Sequence, residues 1–245
     1  MSTTSRTAGI ILIGNEILSG KVVEANAAYL CREFRQLGVA VRKISVIPDE
    51  VDLIAREVEE FQRAYTWVFT SGGVGPTHDD VTIEGVARGL GVRVVRHPDL
   101  AARMRELYQG RVNEARLRMA DVPEGAELLA ADALIVPVLS IRNVFVFPGV
   151  PEIFRQKFDA IKERFRERPF LLRDVYVRIG EGTLAEHLNA MLLAFPDLLC
   201  GSYPELSNPD YKVRVTLESK DPEYLAGALA FLLARLPAEV VVRVR

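Results

Sequence analysis

The sequence predicts an α/β protein built on a mostly parallel sheet, followed by a smaller α+β domain. Three observations carry that prediction. Short continuous apolar runs (residues 9–13, 67–69 and 143–147) have the unbroken hydrophobicity of strands buried on both faces. The stretches that follow the early runs place apolar residues at helical spacing. Beyond residue 168 the order becomes strand, helix, strand, strand, helix, strand, the split βαβ arrangement of small ferredoxin-like domains.

The elements follow in order. Gly14-Asn15-Glu16 breaks the first strand. Ala27, Leu30, Phe34 and Leu37 then mark a helix, with Gly38 as its C-terminal cap. Residues 39–47 read as a strand, and Arg42-Lys43 within it places it near a sheet edge. Pro48-Asp49-Glu50 ends that strand, and Val51, Ile54, Val58 and Phe61 mark a helix with Asp49 as N-cap. Residues 67–69 form a third strand that opens into a glycine loop. Ile83, Val86, Ala87 and Leu90 predict the next helix, closed by Gly91. Residues 92–95 predict a short strand, and Pro98 opens a helix to residue 108. Residues 109–133 are irregular; the basic group Arg111, Arg116 and Arg118 reads as a solvated helix face. Residues 134–138 and 143–147 read as a hairpin or neighbouring strands, and Pro151 starts a helix to about residue 166.

Composition shifts at Glu167-Arg168-Pro169, which divides the chain into an α/β domain, residues 8–168, and a small α+β domain, residues 169–245. In the second, strands are expected at 174–179, 199–203, 211–218 and 240–244, and helices at 184–193 and 224–236. Ser207-Asn208-Pro209-Asp210 turns the central hairpin.

Composition narrows the function. The 245 residues are 49% hydrophobic, enough to bury a sizeable core. The 31 basic and 33 acidic residues leave a net charge of −2, which argues against a nucleic-acid partner and against a polybasic membrane anchor. No stretch approaches the ~20 apolar residues of a membrane span. The polar residues 1–8 and the short apolar run after them do not make a signal-peptide core. A cytoplasmic protein is expected, with Cys31 and Cys200 as ordinary reduced thiols. Ser19-Gly20-Lys21-Val22 lacks the P-loop pattern, the glycine loop is not a full G-x-G-x-x-G, and no G-x-S-x-G elbow is present.

The loop Ser71-Gly72-Gly73-Val74-Gly75-Pro76-Thr77-His78-Asp79-Asp80-Val81-Thr82 holds the densest chemistry. Its glycines let the backbone turn tightly and bring N–H groups to an anion. Asp79 and Asp80 follow at once, and carboxylates suit a hard cation bridging to a phosphate. In parallel α/β sheets ligands sit beyond the carboxyl ends of the strands. The turns at residues 14–16, 48–50, 71–80 and 148–152 would then share one rim. That rim sets glycine amides beside Glu16, Asp49, Asp79 and Asp80. Such acidity repels a pyrophosphate unless a divalent cation intervenes, which points to metal-assisted phosphoanhydride chemistry with a carboxylate taking the proton.

Singly, each feature has an ordinary role. Asp49 suits a helix cap, the glycines suit a turn, and Asp79-Asp80 complements a helix dipole. Their combination favours a site. The expected ligand-binding residues are Gly14, Asn15, Glu16, Ser71, Gly72, Gly73, Val74, Gly75, Pro76, Thr77, Pro148 and Gly149. Asp49, Asp79 and Asp80 are the expected catalytic carboxylates, and Asp79, Asp80 and Glu16 the expected ligands of Mg²⁺ or Co²⁺. His78 is expected to hydrogen-bond within the loop rather than catalyse, and Trp67 to lie in the core.

Four segments carry a family resemblance. They are Gly9-Ile-Ile-Leu-Ile-Gly-Asn-Glu-Ile-Leu-Ser-Gly20, Asn26-Ala27-Ala28-Tyr29-Leu30, the loop at residues 71–82, and Phe147-Pro-Gly-Val-Pro151. Together they resemble the MoCF-type molybdopterin-binding fold, and within it the N-terminal domain of CinA proteins. The chain is more similar still to the molybdopterin-binding-like domain of eukaryotic FAD synthases, through Val46-Ile-Pro-Asp-Glu-Val51, Ser140-Ile-Arg-Asn-Val-Phe145 and Gly201-Ser-Tyr-Pro204. The CinA deamidase domain and the FAD synthase transferase domain have no counterpart in this sequence. The resemblance implies a three-layer α/β/α domain and a homo-oligomer. It implies divalent-metal-dependent hydrolysis of ADP-ribose or of FAD, releasing AMP, with Asp49 and Asp80 as the aspartates used. It also implies a role for Asn26 beside Glu16. Asn15 stands where some relatives carry aspartate. The same resemblance leaves two alternatives: a molybdopterin-binding protein of molybdenum cofactor biosynthesis, and a non-catalytic nucleotide-binding module.

Overall fold

The computed structural model describes residues 6–109 and 111–245; residues 1–5, within the polar N-terminal segment, and Gly110 lie outside that description. In chain order the first part contains β1 (Thr7–Ile13), α1 (Asn15–Leu18), α2 (Asn26–Gln36), β2 (Ala40–Ile47), α3 (Val51–Ala64), β3 (Trp67–Ser71) and α4 (Thr82–Gly89). There follow β4 (Val94–Arg96), α5 (Pro98–Leu107), α6 (Glu114–Leu117), β5 (Asp121–Pro123), β6 (Glu127–Leu129), β7 (Val138–Ile141), β8 (Val144–Phe147) and α7 (Pro151–Ile161).

The central sheet has six strands in the order β2-β1-β3-β8-β7-β6. The pairings β1/β2, β1/β3 and β3/β8 are parallel, and β7 and β6 close one side antiparallel. As Arg42-Lys43 predicts, β2 is an edge strand. Alternate residues of the buried strands feed two separate cores. Ala8, Ile10 and Leu12 of β1 join Phe69, Phe145 and Phe147 against α2 and α7. Ile11 and Ile13 of β1 join Val68, Val144 and Val146 against α3, α4 and α5. Helices therefore cover both faces, and the continuous apolar runs follow from that burial.

Two expectations shift here. The strand expected at 134–138 begins only at Val138. Pro137 has no N–H for a ladder, and the carbonyls of Val136 and Pro137 are spent on the Lys157 side chain. The irregular stretch 109–133 contains β5 and β6, and β5 pairs with β4 in a small antiparallel sheet.

The chain divides into two compact units between Glu167 and Arg168. The second contains β9 (Leu171–Val177), α8 (Glu181–Ala194), β10 (Leu199–Pro204), β11 (Val213–Ser219), α9 (Pro222–Arg235) and β12 (Val241–Val244). Its four strands run antiparallel in the order β10-β11-β9-β12, as the split βαβ order requires. Val175, Val177, Val213, Val215 and Leu217 pack on Leu184, Leu188 and Met191 of α8 and Leu225, Ala228 and Leu232 of α9. Among the described residues no helix is long and apolar enough to cross a membrane.

Candidate functional site at the carboxyl rim

The parallel strands β2, β1, β3 and β8 deliver their carboxyl ends to one edge, and the loops that leave them are tied together there. Gly14 donates its N–H to the carbonyl of Ile47 (3.1 Å), joining the ends of β1 and β2. Asn15 donates its N–H to Oδ2 of Asp49 (2.8 Å). That contact corrects the capping expectation: Glu50 occupies the N-cap of α3, and the Asp49 carboxylate turns toward the loop after β1. Gly72 donates its N–H to the carbonyl of Phe147 (3.2 Å), joining β3 to β8.

The glycine loop holds its shape for local reasons. Gly72 sits at φ 105°, and a Cβ there would lie 1.9 Å from the carbonyl oxygen of Ile13, so only glycine fits. The buried Thr82 hydroxyl donates to the Gly72 carbonyl (2.8 Å), and the Thr82 N–H to the Gly73 carbonyl (3.1 Å). At the other end the Thr77 N–H donates to Oδ2 of Asp80 (2.7 Å), which fixes that carboxylate over Gly75. Between these ties, residues 73–75 are half-exposed, and their N–H groups enter none of the hydrogen bonds that secure the loop.

Asn26 secures the opposite wall. Glu24 accepts the N–H groups of Asn26 (2.5 Å) and Ala27 (2.9 Å), holding the first turn of α2. Buried Asn26 then donates through Nδ2 to the Ser71 hydroxyl (2.9 Å) and the Gly149 carbonyl (2.8 Å). One amide thus joins the loops after β3 and β8.

The expected residues separate by position. Glu16, Asn26, Ser71, Gly72, Gly73, Val74, Asp80, Pro148 and Gly149 line one cleft of about 390 Å³. Gly75 and Pro76 line a second, larger cavity on the other side of the loop. Gly14 is buried at the strand end, and Asn15 is committed to Asp49. Thr77 is exposed and engages Asp80, and His78 is almost fully exposed. Asp49 lies against Gly73, where a Cβ would come 3.4 Å from its Oδ1.

Electrostatics link three of the acids. Burial pushes the Asp49 carboxyl above the usual aspartate range, and the charges of Glu16 and Asp79 push it further, against the Asn15 N–H. Asp79 is held below its ordinary value by the Thr77 hydroxyl. Among the described residues, no three His, Cys, Asp or Glu side chains converge closely enough to hold a metal ion by themselves.

Three contributors escaped the sequence reading. Thr82 was visible only as part of the loop motif, and Glu24 caps with a longer side chain than the usual N-cap residues. Lys157 left a signal: the buried stripe of α7 is Phe154, Lys157, Phe158 and Ile161, so a lysine occupies an apolar position of the helical rhythm.

Comparison with known proteins shows the family of the chain. The family model described as probable molybdopterin binding domain matches residues 9–171, and that described as FAD synthase, middle domain, matches residues 169–245. A protein of Archaeoglobus fulgidus is 36% identical over 220 residues, covering 90% of this chain and 93% of its own. A probable FAD synthase of Caenorhabditis elegans is 33% identical over 264 residues and covers 96% of this chain, which spans only 51% of that relative. The crystal structure of the protein CinA, of unknown function, from Thermoplasma acidophilum matches with a TM-score of 0.61 at 30% identity. That match covers 66% of this chain and 98% of the other.

Proposed function

We propose, from the premise that this chain belongs to the family of probable molybdopterin-binding domains, that it hydrolyses a dinucleotide-type phosphoanhydride, FAD or ADP-ribose, and releases AMP. One observation carries the reading: the half-exposed glycine loop, residues 73–75, meets Asp49 at Gly73, and the proton affinity of Asp49 is raised by burial and by Glu16 and Asp79. The likeness of residues 169–245 to the middle domain of FAD synthases supports FAD as the first substrate to try.

The chemistry follows from those groups. A water oxygen forms a new bond to phosphorus, the bond from phosphorus to the bridging oxygen breaks, and the water proton passes to the Asp49 carboxylate. A carboxylate of raised pKa is the better proton acceptor, and such acid–base roles contribute about 10²–10⁴-fold. The N–H groups of residues 73–75 meet the charge that grows on the phosphoryl oxygens. Glu16, Asp79 and Asp80 supply hard oxygen donors. They fit Mg²⁺ or Co²⁺ held by one or two carboxylates, with phosphate oxygens and water completing the shell. The raised Asp49 carboxyl fits this too, because the charges of Glu16 and Asp79 add to the effect of its burial. Such a cation would supply charge neutralisation at the phosphate.

The test is chromatography of FAD, ADP-ribose and NAD incubated with the protein, with and without Mg²⁺ or Co²⁺. AMP from at least one is expected, and its absence from all of them overturns the reading. The family description favours one second reading, a pterin-binding protein. Tight molybdopterin binding without dinucleotide hydrolysis would select it.

A further inference from the structure

We propose that the helix-free face of the antiparallel sheet in the second unit binds a single-stranded nucleic acid. Bases would lie on a row of alternating tyrosine and arginine, and phosphates on the cations around that row. The proposal is independent of the phosphoanhydride reading.

Along each strand of that sheet successive side chains point to opposite faces. Val175, Val177, Val213, Val215 and Leu217 face α8 and α9, so their sequence neighbours face the other way. The pairing register sets Tyr203 of β10 opposite Arg214 of β11, and Arg214 opposite Tyr176 of β9. Tyr176 in turn lies opposite Arg243 of β12. Aromatic ring and cation thus alternate across all four strands. Arg214 lies over the Tyr203 ring (5.0 Å) and Arg243 over the Tyr176 ring (4.2 Å). Tyr211 meets Tyr176 edge-on at 4.8 Å. Tyr203 is 49% exposed and Arg214 is exposed, so both are open to a ligand, while Tyr176 backs the row from beneath Arg243.

Arg178, Lys212 and Arg245 are exposed, and strand alternation puts them on this same face. Its carboxylates are Asp174, Glu205 and Glu218. Glu205 accepts from the Ser207 hydroxyl (2.8 Å), and Asp210 offers Arg178 its backbone carbonyl (3.2 Å). Among the described residues no carboxylate forms an ion pair with Arg178, Lys212, Arg214, Arg243 or Arg245. The net charge of −2 belongs to the whole chain and hides this local excess of cations.

A guanidinium over a tyrosine ring has an ordinary use, since it shields the ring and gains a cation–π contact. That use accounts for Arg214 and Arg243 but leaves Arg178 and Lys212 unexplained. Like charges gathered without counter-ions repel one another and oppose folding. A polyanion that carries flat groups accounts for both features. Its phosphates meet the cations, and its bases stack on the exposed ring and guanidinium planes. A duplex keeps its bases stacked inside and offers only the phosphates. The fold alone assigns no ligand; the row and its cations do.

The test is fluorescence anisotropy on the whole chain with labelled oligouridylate and oligothymidylate of about 12 nucleotides. A duplex and an abasic strand of the same length serve as charge controls, and each titration is repeated over a salt series. The two single strands should bind at least about tenfold more tightly than the controls. Tyr203→Ala should weaken them about tenfold, as for loss of one base stack, and Tyr203→Phe should restore binding. Arg214→Gln should flatten the slope of log affinity against log salt by about 0.7. Arg105→Gln, at an exposed arginine of α5, should change neither. Should Tyr203→Ala lose its circular dichroism, the salt slopes of Arg214→Gln and Lys212→Gln decide. A preference for the RNA strand over the DNA strand, or equal affinity, supports the proposal and tells whether the sugar hydroxyl is read. Absence of single-strand binding at low salt overturns it, as does equal binding of the abasic strand. Binding that both Tyr203→Ala and Arg214→Gln leave unchanged overturns it too. So does an acidic peptide that binds more tightly than either strand, which would make this a protein-docking surface.

Discussion

At Gly72 one missing methylene decides whether the loop exists. Its backbone occupies a conformation that side chains rarely adopt, with the Ile13 carbonyl where a Cβ would go. Gly72→Ala should cost more than about 2 kcal/mol, seen in urea unfolding, since strained backbone alone costs ~1–3 kcal/mol. Asp49 presents the opposite case, a residue kept against the interest of stability. Its carboxyl is raised, so the fold favours the neutral form. That preference helps at pH values below the ordinary aspartate pKa and is lost as pH rises through the raised one. The amide oxygen of an asparagine in its place would still accept the Asn15 N–H. Asp49→Asn should therefore match the wild type in acid and exceed it in Tm near neutrality, while AMP release falls about 10²–10⁴-fold. A neutral-pH Tm below that of the wild type would remove the electrostatic account.

At the scale of elements, legibility followed locality. The apolar runs of β1, β3 and β8 and the stripes of α2, α3 and α4 could be read because their own residues specify burial on one or both faces. The glycine loop was legible because residues 71–82 carry their turn chemistry in a single stretch. What escaped was made by distant partners. Asp121-Val122-Pro123 is a strand only because β4 lies beside it. Asp49 looked like a cap because the Asn15 N–H that captures it belongs to another loop. Lys157 gains its meaning from two carbonyls about twenty residues earlier. Helix α9 shows the local case well. Asp221 accepts the N–H groups of Glu223 (2.9 Å) and Tyr224 (3.1 Å), and Pro222 fills the first turn. Asp221→Ala should cost about 1 kcal/mol in a denaturant titration. A loss near zero would show that water replaces the cap.

Over the whole molecule, two cores serve the first unit and a third, separate core serves the second. Leu217→Ala, in the middle of that third core, should cost about 2–5 kcal/mol and raise amide exchange in β9 to β12. Exchange in β1 and β3 should stay as it was; equal loss of protection there would mean that the two units unfold as one. The two family models meet where the units do, one matching residues 9–171 and the other residues 169–245.

Because Gly73, Val74 and Pro148 line both chambers beside the glycine loop, a substitution in this stretch reshapes two surfaces at once.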